Sequence, residues 1–217
     1  MARHQIALRK PEEIKTAAAE APRGSLERIV ELARGCKACD LWKDATQTVF
    51  GESRGSHPKL MLIGEQPGNF EDRAGFPFVG PAGKLLDKAL EKAGIDRRGA
   101  YVTNVVKHFK WEPRGKRRIH KKPNAQEIAA CRPWLDAEIA AVKPRVIVCL
   151  GATAAQALLG KDYRVSKQRG QFVASPLAEY VTATVHPSSI LRATDENARR
   201  RELDRFVQDL KRVAALL

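Results

Sequence analysis

Short apolar runs alternate with amphipathic stretches along most of this chain. Four of the runs have the length of a strand, and they are PKLMLIG, AYVTNVV, RVIVCLG and YVTATVHP. Apolar runs of this length that end at Gly or Pro are typical of buried strands. The pattern therefore predicts four strands.

The stretches between these runs have helical periodicity. Ser25 can cap the first helix and Gly35 can end it, while Asn124 can cap a long helix that ends before Pro144. Another amphipathic stretch begins with Pro and ends at Gly94, which is the usual asymmetry of helix termini. The predicted helices are residues 25–36, 81–95, 124–144, 152–160 and 195–217.

Strands that alternate with helices predict an α/β fold with a mainly parallel sheet and helices on both faces. The 217 residues show no repeat and no second core, so we expect a single domain over residues 25–217. Residues 1–24 are weakly patterned and are predicted to form an arm or a short helix. Residues 161–179 are expected to hold a turn or an extra strand.

Polar residues follow the predicted strands where parallel sheets bind ligands. Glu65 and Gln66 follow the first strand, Asn104 follows the second and His186 follows the fourth. Because the carboxyl ends of parallel strands meet at one edge, we expect these four side chains to converge on one rim.

The chain carries 39 Lys and Arg against 25 Asp and Glu, a net charge of +14. A positive field of this size favours a polyanion as the partner, and nucleic acid is the expected one. No apolar run reaches membrane-spanning length and no secretory signal is visible, so a cytoplasmic protein without a membrane partner is expected.

Much of this charge lies in residues 112–124, EPRGKRRIHKKPN, which follow Asn104 and should overhang the same rim. Three interpretations are open: a solvated charge run, a clamp for nucleic acid, or a loop that presents His120 for chemistry.

Four cysteines form a second pattern. Cys36 and Cys39 are a C-x2-C pair, and Cys131 and Cys149 follow far along the chain. Four thiolates suit a four-cysteine zinc site or a [4Fe–4S] cluster, and the absence of a second short pair favours the cluster. The alternative is that Cys131 and Cys149 are small buried apolar residues.

Several segments together resemble the uracil-DNA glycosylase superfamily, in particular its iron–sulfur family 4 branch. They are the four cysteines, LIGEQPG, FPFVGPAGKLLD, VTNVVKHF, LGATAAQALLG and HPSSILR, in that order. The resemblance implies a single αβα-sandwich domain with a four-stranded sheet. It also implies a structural [4Fe–4S] cluster held by Cys36, Cys39, Cys131 and Cys149.

Two features depart from ordinary family 4 members. Those members carry a small residue at the position of Gln66, and they lack the KRRIH segment that ends at His120. Both features resemble the UdgX branch, which binds uracil in DNA and becomes covalently attached through the loop histidine. The resemblance implies a glycosylase of one chemical event per molecule.

Uracil excision gives each matched residue an expected role. Phe78 would stack on the flipped base, Asn104 would pair with its edge, and His186 would donate to its O2 atom. Glu65 would position a water molecule or orient His120, and Gln66 beside it is expected to take part in catalysis and to contact the uracil. His120 would attack C1′ of the deoxyribose.

The expected partner is uracil-containing DNA, single-stranded by preference, with free uracil as product and the protein as a monomer. An ordinary glycosylase that turns over, and an iron–sulfur nucleic-acid binding module without chemistry, are the alternatives. Phosphate contacts are expected from basic residues, and Leu191 or Arg192 is expected to fill the emptied stack. The predicted DNA-binding residues are Lys107, Lys110, Arg114, Lys116, Arg117, Arg118, Lys121, Lys122, Ser188, Leu191 and Arg192.

Overall fold

The computed structural model describes residues 25–217. The arm or short helix predicted for residues 1–24 lies outside the described residues. The helices are α1 (Leu26–Ala33), α2 (Asn69–Ala74), α3 (Pro81–Ala93), α4 (Ala125–Val142), α5 (Ala152–Leu159), α6 (Val165–Gln168), α7 (Pro187–Leu191) and α8 (Glu196–Ala214). The strands are β1 (Glu52–Ser53), β2 (Leu60–Gly64), β3 (Ala100–Asn104), β4 (Trp111–Arg114), β5 (Arg117–His120), β6 (Val146–Leu150) and β7 (Tyr180–Thr184).

The main sheet has the strand order β1-β3-β2-β6-β7. The four predicted strands β2, β3, β6 and β7 are parallel, which confirms the α/β class, and the two-residue β1 adds a fifth, antiparallel strand at the edge. In β2, Gly64 is opposite Asn104, so the ends of β2 and β3 coincide.

The sheet divides two apolar cores, as the twofold side-chain alternation of a strand requires. Met61 and Ile63 of β2 face a core with α1, α4 and α5, whereas Leu60 and Leu62 face a core with α3 and α8. Helices therefore cover both faces, and the result is the expected single αβα domain.

Local capping agrees with the predicted helix starts. The Asn124 side chain accepts a hydrogen bond from the N–H of Glu127, while the Glu127 carboxylate accepts one from the N–H of Asn124. Gly94 ends α3 with a positive φ of 76°. Residues 161–179 contain α6, and Val173 in this range forms an isolated bridge to Val181 of β7. None of the helices within residues 25–217 is both long and apolar enough to span a membrane.

The basic segment is a β-hairpin rather than the predicted loop. β4 and β5 pair antiparallel, from Trp111 opposite His120 to Arg114 opposite Arg117. Gly115 has a φ of 58° at the first central position of the two-residue turn, which suits a type II′ hairpin. Regular pairing gives His120 a defined place in the fold.

Candidate active site at the strand ends

The carboxyl ends of the parallel strands open into a cleft of about 870 Å³. Glu65, Phe78, Asn104, His120 and His186 all line it, so the predicted convergence on one rim is confirmed geometrically. The residues come from the ends of β2, β3 and β7, from the loop before α3 and from the end of β5. A cleft of this size can hold a nucleobase and its sugar.

Phe78 and Asn104 form one wall, and Gly64 makes room for both. A Cβ atom on Gly64 would lie 2.4 Å from Asn104 Oδ1 and 2.7 Å from Phe78 Cζ. Asn104 is 2% exposed, and its Oδ1 atom has no hydrogen-bond partner. A buried carbonyl oxygen without a partner is costly, and a ligand donor in the cleft would satisfy it.

His186 caps the N-terminus of α7 and presents a neutral imidazole. Its Nδ1 atom accepts from the N–H of Ser188 at 3.1 Å, so in the neutral ring the proton resides on Nε2. Burial lowers the pKa of His186 to about 4, although the charge of Glu65 opposes this shift. The His186 ring lies 5.7 Å from the Phe78 ring, between centroids. The imidazole can therefore act as a neutral donor at neutral pH.

Glu65 links the two sides of the cleft. The Thr153 hydroxyl at the start of α5 donates to Oε2, and His120 Nε2 lies 3.3 Å from Oε1. Burial opposes ionisation of Glu65, but the hydrogen bonds from His120 and Thr153 outweigh it, so the pKa of this carboxyl lies below its ordinary value of 4.5. Glu65 is thus an ionised acceptor next to the imidazole. Thr153 lies within the LGATAAQALLG segment, but no role was predicted for it from the sequence.

Gln66 holds the base of the hairpin. Its Nε2 atom donates to the carbonyls of Lys110 and Lys121 at 3.1 and 3.0 Å, and its Oε1 atom accepts from the N–H of Lys110 at 3.2 Å. The amide is 7% exposed and its polar atoms are already committed. Gln66 thus lines the cleft while its amide bonds to the hairpin, and the catalytic and uracil contacts predicted for it stay predictions.

Arg118 holds the other end of the same strand. Arg118 and His120 are two residues apart in β5, so both face the domain. Arg118 Nη1 lies 2.6 Å from the buried carboxylate of Asp72, and its Nε donates to Asn69 Oδ1 at 2.8 Å. Its guanidinium also lies over the ring of Phe109 at 5.3 Å. The sequence predicted a phosphate contact here, whereas the structure uses this cation inside the protein.

The remaining residues that were predicted to contact DNA differ in their exposure to solvent. Lys107 is 1% exposed and faces Glu138, so the predicted phosphate contact is wrong for this residue. Lys110 is mostly buried against Glu127, and Ser188 bonds to His186. Leu191 is half-buried, and Arg192 is exposed and lines the cleft. The other predicted phosphate contacts are exposed, namely Arg114, Lys116, Arg117, Lys121 and Lys122.

The four cysteines lie in and around one apolar core, as free thiols. Cys131 and Cys149 are buried, and Cys36 and Cys39 pack against that core. The N–H of Lys107 donates to Cys131 Sγ, and the Trp134 Nε1–H donates to Cys36 Sγ, each at 3.2 Å. Within residues 25–217, no three Cys, His, Asp or Glu side chains are gathered closely enough to hold a single metal ion.

The domain is therefore of the αβα class, with a cleft at the strand ends whose amide, two imidazoles and carboxylate could bind a small polar ligand such as a base. Residues 50–211 match the family model described as the uracil DNA glycosylase superfamily. The chain belongs to this superfamily.

Curated relatives agree with this assignment. A type-4 uracil-DNA glycosylase of Thermotoga maritima is 38% identical over 176 residues, which is 81% of this chain and 88% of the relative. A type-4 enzyme of Pyrobaculum aerophilum is 37% identical over 77% of this chain and 85% of its own length. A type-5 uracil-DNA glycosylase of the same organism is 31% identical over 72% of this chain and 71% of the relative.

Proposed function

We propose that this protein excises uracil from DNA. The observation that carries the proposal is the unpartnered Oδ1 atom of Asn104, buried beside Phe78 in the cleft. The edge of uracil presents an N3–H donor and an O4 acceptor, which the carbonyl and the NH₂ of one amide can pair with. Cytosine reverses both groups, so an amide held in this orientation would reject it.

The other cleft residues suit the departure of the base. The N1–C1′ bond breaks with its electron pair moving to uracil, and positive charge develops on the sugar. The Nε2–H of His186 would donate to uracil O2 and stabilise the developing anion, and a neutral donor does so without protonating the base outright. Phe78 would stack on the base and hold it outside the stacked bases of the DNA.

Release of free uracil from a uracil-containing oligonucleotide tests this proposal. The parent protein should release uracil and leave the thymine of a matched oligonucleotide intact. His186→Ala should lower the excision rate about 100-fold, as expected for loss of one donor to a developing anion. Folded, DNA-binding parent protein that releases no uracil would leave only a binding function.

We also propose that His120 captures C1′ covalently. The supporting observation is the contact of 3.3 Å between His120 Nε2 and Glu65 Oε1. One imidazole nitrogen would bond to C1′ as uracil leaves, and the Nε2 proton would pass to Glu65, so a neutral N-linked product results. An imidazole bonded to C1′ is a poor leaving group, so each protein molecule would react only once. The KRRIH segment and Gln66 support the UdgX branch.

A denaturing gel distinguishes covalent capture from turnover. The parent protein should give one band that contains both the protein and a uracil-containing single-stranded oligonucleotide, and His120→Ser should lose it. A band that persists in this variant would refute the assignment of the nucleophile. Release of several uracils per protein molecule without a band would identify an ordinary glycosylase, in which Glu65 positions water.

A [4Fe–4S] cluster is proposed as the occupant of the cysteine site. Four unpaired thiols at one core, two of which already accept N–H bonds, fit such a group, because hydrogen bonds to sulfur are usual around clusters. When bound, the cluster would tie the segment with Cys36 and Cys39 to α4 and β6, a structural task. Equal iron and sulfide content, four of each per chain, would support this occupant, whereas zinc without sulfide would exclude it.

The DNA partner is proposed to lie along the exposed side of the hairpin. Arg114, Lys116, Arg117 and Lys122 are exposed there, and Arg192 lies across the cleft. Such contacts supply affinity without sequence preference. We expect a monomer that prefers single strands, because a base without a partner costs less to flip. Light scattering and competition between single- and double-stranded oligonucleotides test these two points.

A further inference from the structure

Lys107 and Glu138 form a buried ion pair directly behind Asn104. Their side chains are 1% and 0% exposed, and Lys107 Nζ lies 2.5 Å from Glu138 Oε2. Lys107 follows β3, whereas Glu138 comes from α4. The desolvation of two buried charges offsets much of their attraction, so stability alone explains such a pair poorly.

The pair is fully hydrogen-bonded, and its bonds concentrate on the end of β3. The three ammonium hydrogens of Lys107 have three acceptors: Glu138, the hydroxyl of Thr103 at 2.8 Å and the backbone carbonyl of Asn104 at 2.5 Å. Glu138 also accepts from the hydroxyls of Tyr101 and Thr103 and from the N–H of Gly51. Both charged side chains therefore hold the last residues of β3 in place.

Asn104 stands between this network and the cleft. Its backbone carbonyl is held from behind by Lys107, and its side chain lies over Gly64 with an unpartnered Oδ1 atom. Reading uracil requires the amide to keep one orientation, because a small rotation misaligns both of its hydrogen bonds. We infer that Lys107 and Glu138 are positioning residues that set the uracil-reading amide of Asn104. This inference rests on the proposed excision of uracil.

The backbone of Lys107 has a separate task, which the experiment can exploit. Its N–H donates to Cys131 Sγ at 3.2 Å, and this bond does not depend on the side chain. A side-chain substitution should therefore leave the cysteine site intact. Iron content then reports whether an effect on uracil runs through Asn104 or through loss of the cluster.

The test compares Lys107→Met with the double variant K107M/E138L. The single variant leaves the Glu138 carboxylate buried without its cation and should be less stable. The double variant removes both charges and should recover part of the melting temperature, since Tyr101, Thr103 and Gly51 then lose their shared acceptor. If the pair positions Asn104, the inhibition constant for free uracil should rise about 10-fold or more in both variants. The single-turnover excision rate should fall by a similar factor, which corresponds to about 1.4 kcal/mol. Their iron content should equal that of the parent.

Arg97→Met is the matched control, because Arg97 lies at the opposite end of the same strand. Its Nη1 donates to the carbonyl of Ala100 at 3.2 Å, and its guanidinium pairs with Asp87. This variant should lose stability and keep the uracil inhibition constant within twofold. Recovery of uracil inhibition along with the melting temperature in K107M/E138L would overturn the inference, as would a loss of iron that parallels the loss of inhibition. A parent protein that excises no uracil would instead refute the proposed function.

Discussion

The Arg118–Asp72 ion pair should decide whether His120 reaches the sugar. Asp72 is buried and also accepts two hydrogen bonds from Thr46, so it is fixed in the body of the domain. Arg118 is on β5, two residues before His120, and it is the cation that joins the hairpin to this carboxylate. Arg118→Met removes that cation and places an apolar side chain of similar length next to Phe109.

The size of the effect follows from burial. Arg118 is 16% exposed and Asp72 is 0% exposed, and breaking one side of a buried pair costs about 3–5 kcal/mol. Because Thr46 still donates to Asp72, we take the lower end, about 3 kcal/mol, which lowers the docking equilibrium of the hairpin by a factor of about 150. Gln66 continues to hold the hairpin base, so the loss should concern its outer part.

The assay measures adduct and free uracil in the same reaction. We expect Arg118→Met to form adduct roughly 10- to 100-fold more slowly, while uracil release continues, because water can replace a displaced imidazole at Glu65. Arg117→Met is the control: it removes the same charge from the neighbouring exposed position and should keep the parent's ratio of adduct to uracil. Equal loss of adduct and uracil release in Arg118→Met would refute the docking argument and indicate a direct role of Arg118 in binding or chemistry.

Three further predictions concern the hairpin and the cleft. Gln66→Ala removes three hydrogen bonds at the hairpin base, so adduct formation should fall about 10-fold or more at unchanged iron content, measured on the same gel. The pKa of His186 is about 4 in the folded protein against 6.5 ordinarily, so the unfolded chain binds more protons between these pH values. The contribution of His186 to stability, roughly 3 kcal/mol, is complete above pH 6.5 and is lost as the pH falls towards 4; urea unfolding of His186→Gln should show a flatter pH profile. Lys116→Ala with Arg117→Ala should reduce the slope of log K against log salt by about 2, and an unchanged slope would place DNA elsewhere.

The rim of the cleft was predictable from the sequence, whereas the partners of the rim residues were not. The ends of parallel strands meet by geometry, so Glu65, Asn104 and His186 converge once the strand order is known. Thr153 lies in the LGATAAQALLG segment, where no pattern singles it out, and Glu138 lies on a helix face without a motif. Only three-dimensional packing brings these two side chains to Glu65 and Lys107.

The hairpin was missed because its strands lack the apolar alternation that marks a strand. Its charges suggested a solvated loop, although one signal was available. Gly115 and Lys116 form a Gly-X pair between two stretches of equal length, which is a recognised two-residue hairpin turn. The same pattern would have separated inward-facing Arg118 and His120 from outward-facing Arg117, and therefore would have corrected the expectation that every cation there contacts phosphate.

The docked hairpin also makes a prediction about timing. Gln66 and Arg118 hold β5 so that His120 already lies 3.3 Å from Glu65 without DNA. Capture of C1′ therefore needs no rearrangement of the hairpin, and a preorganised nucleophile should bond as soon as the sugar loses its base. In a rapid-quench experiment, uracil release and adduct formation should share one rate constant. A lag of adduct behind free uracil would show that His120 must move first, and in that case the contact with Glu65 would be a resting position rather than the reactive one.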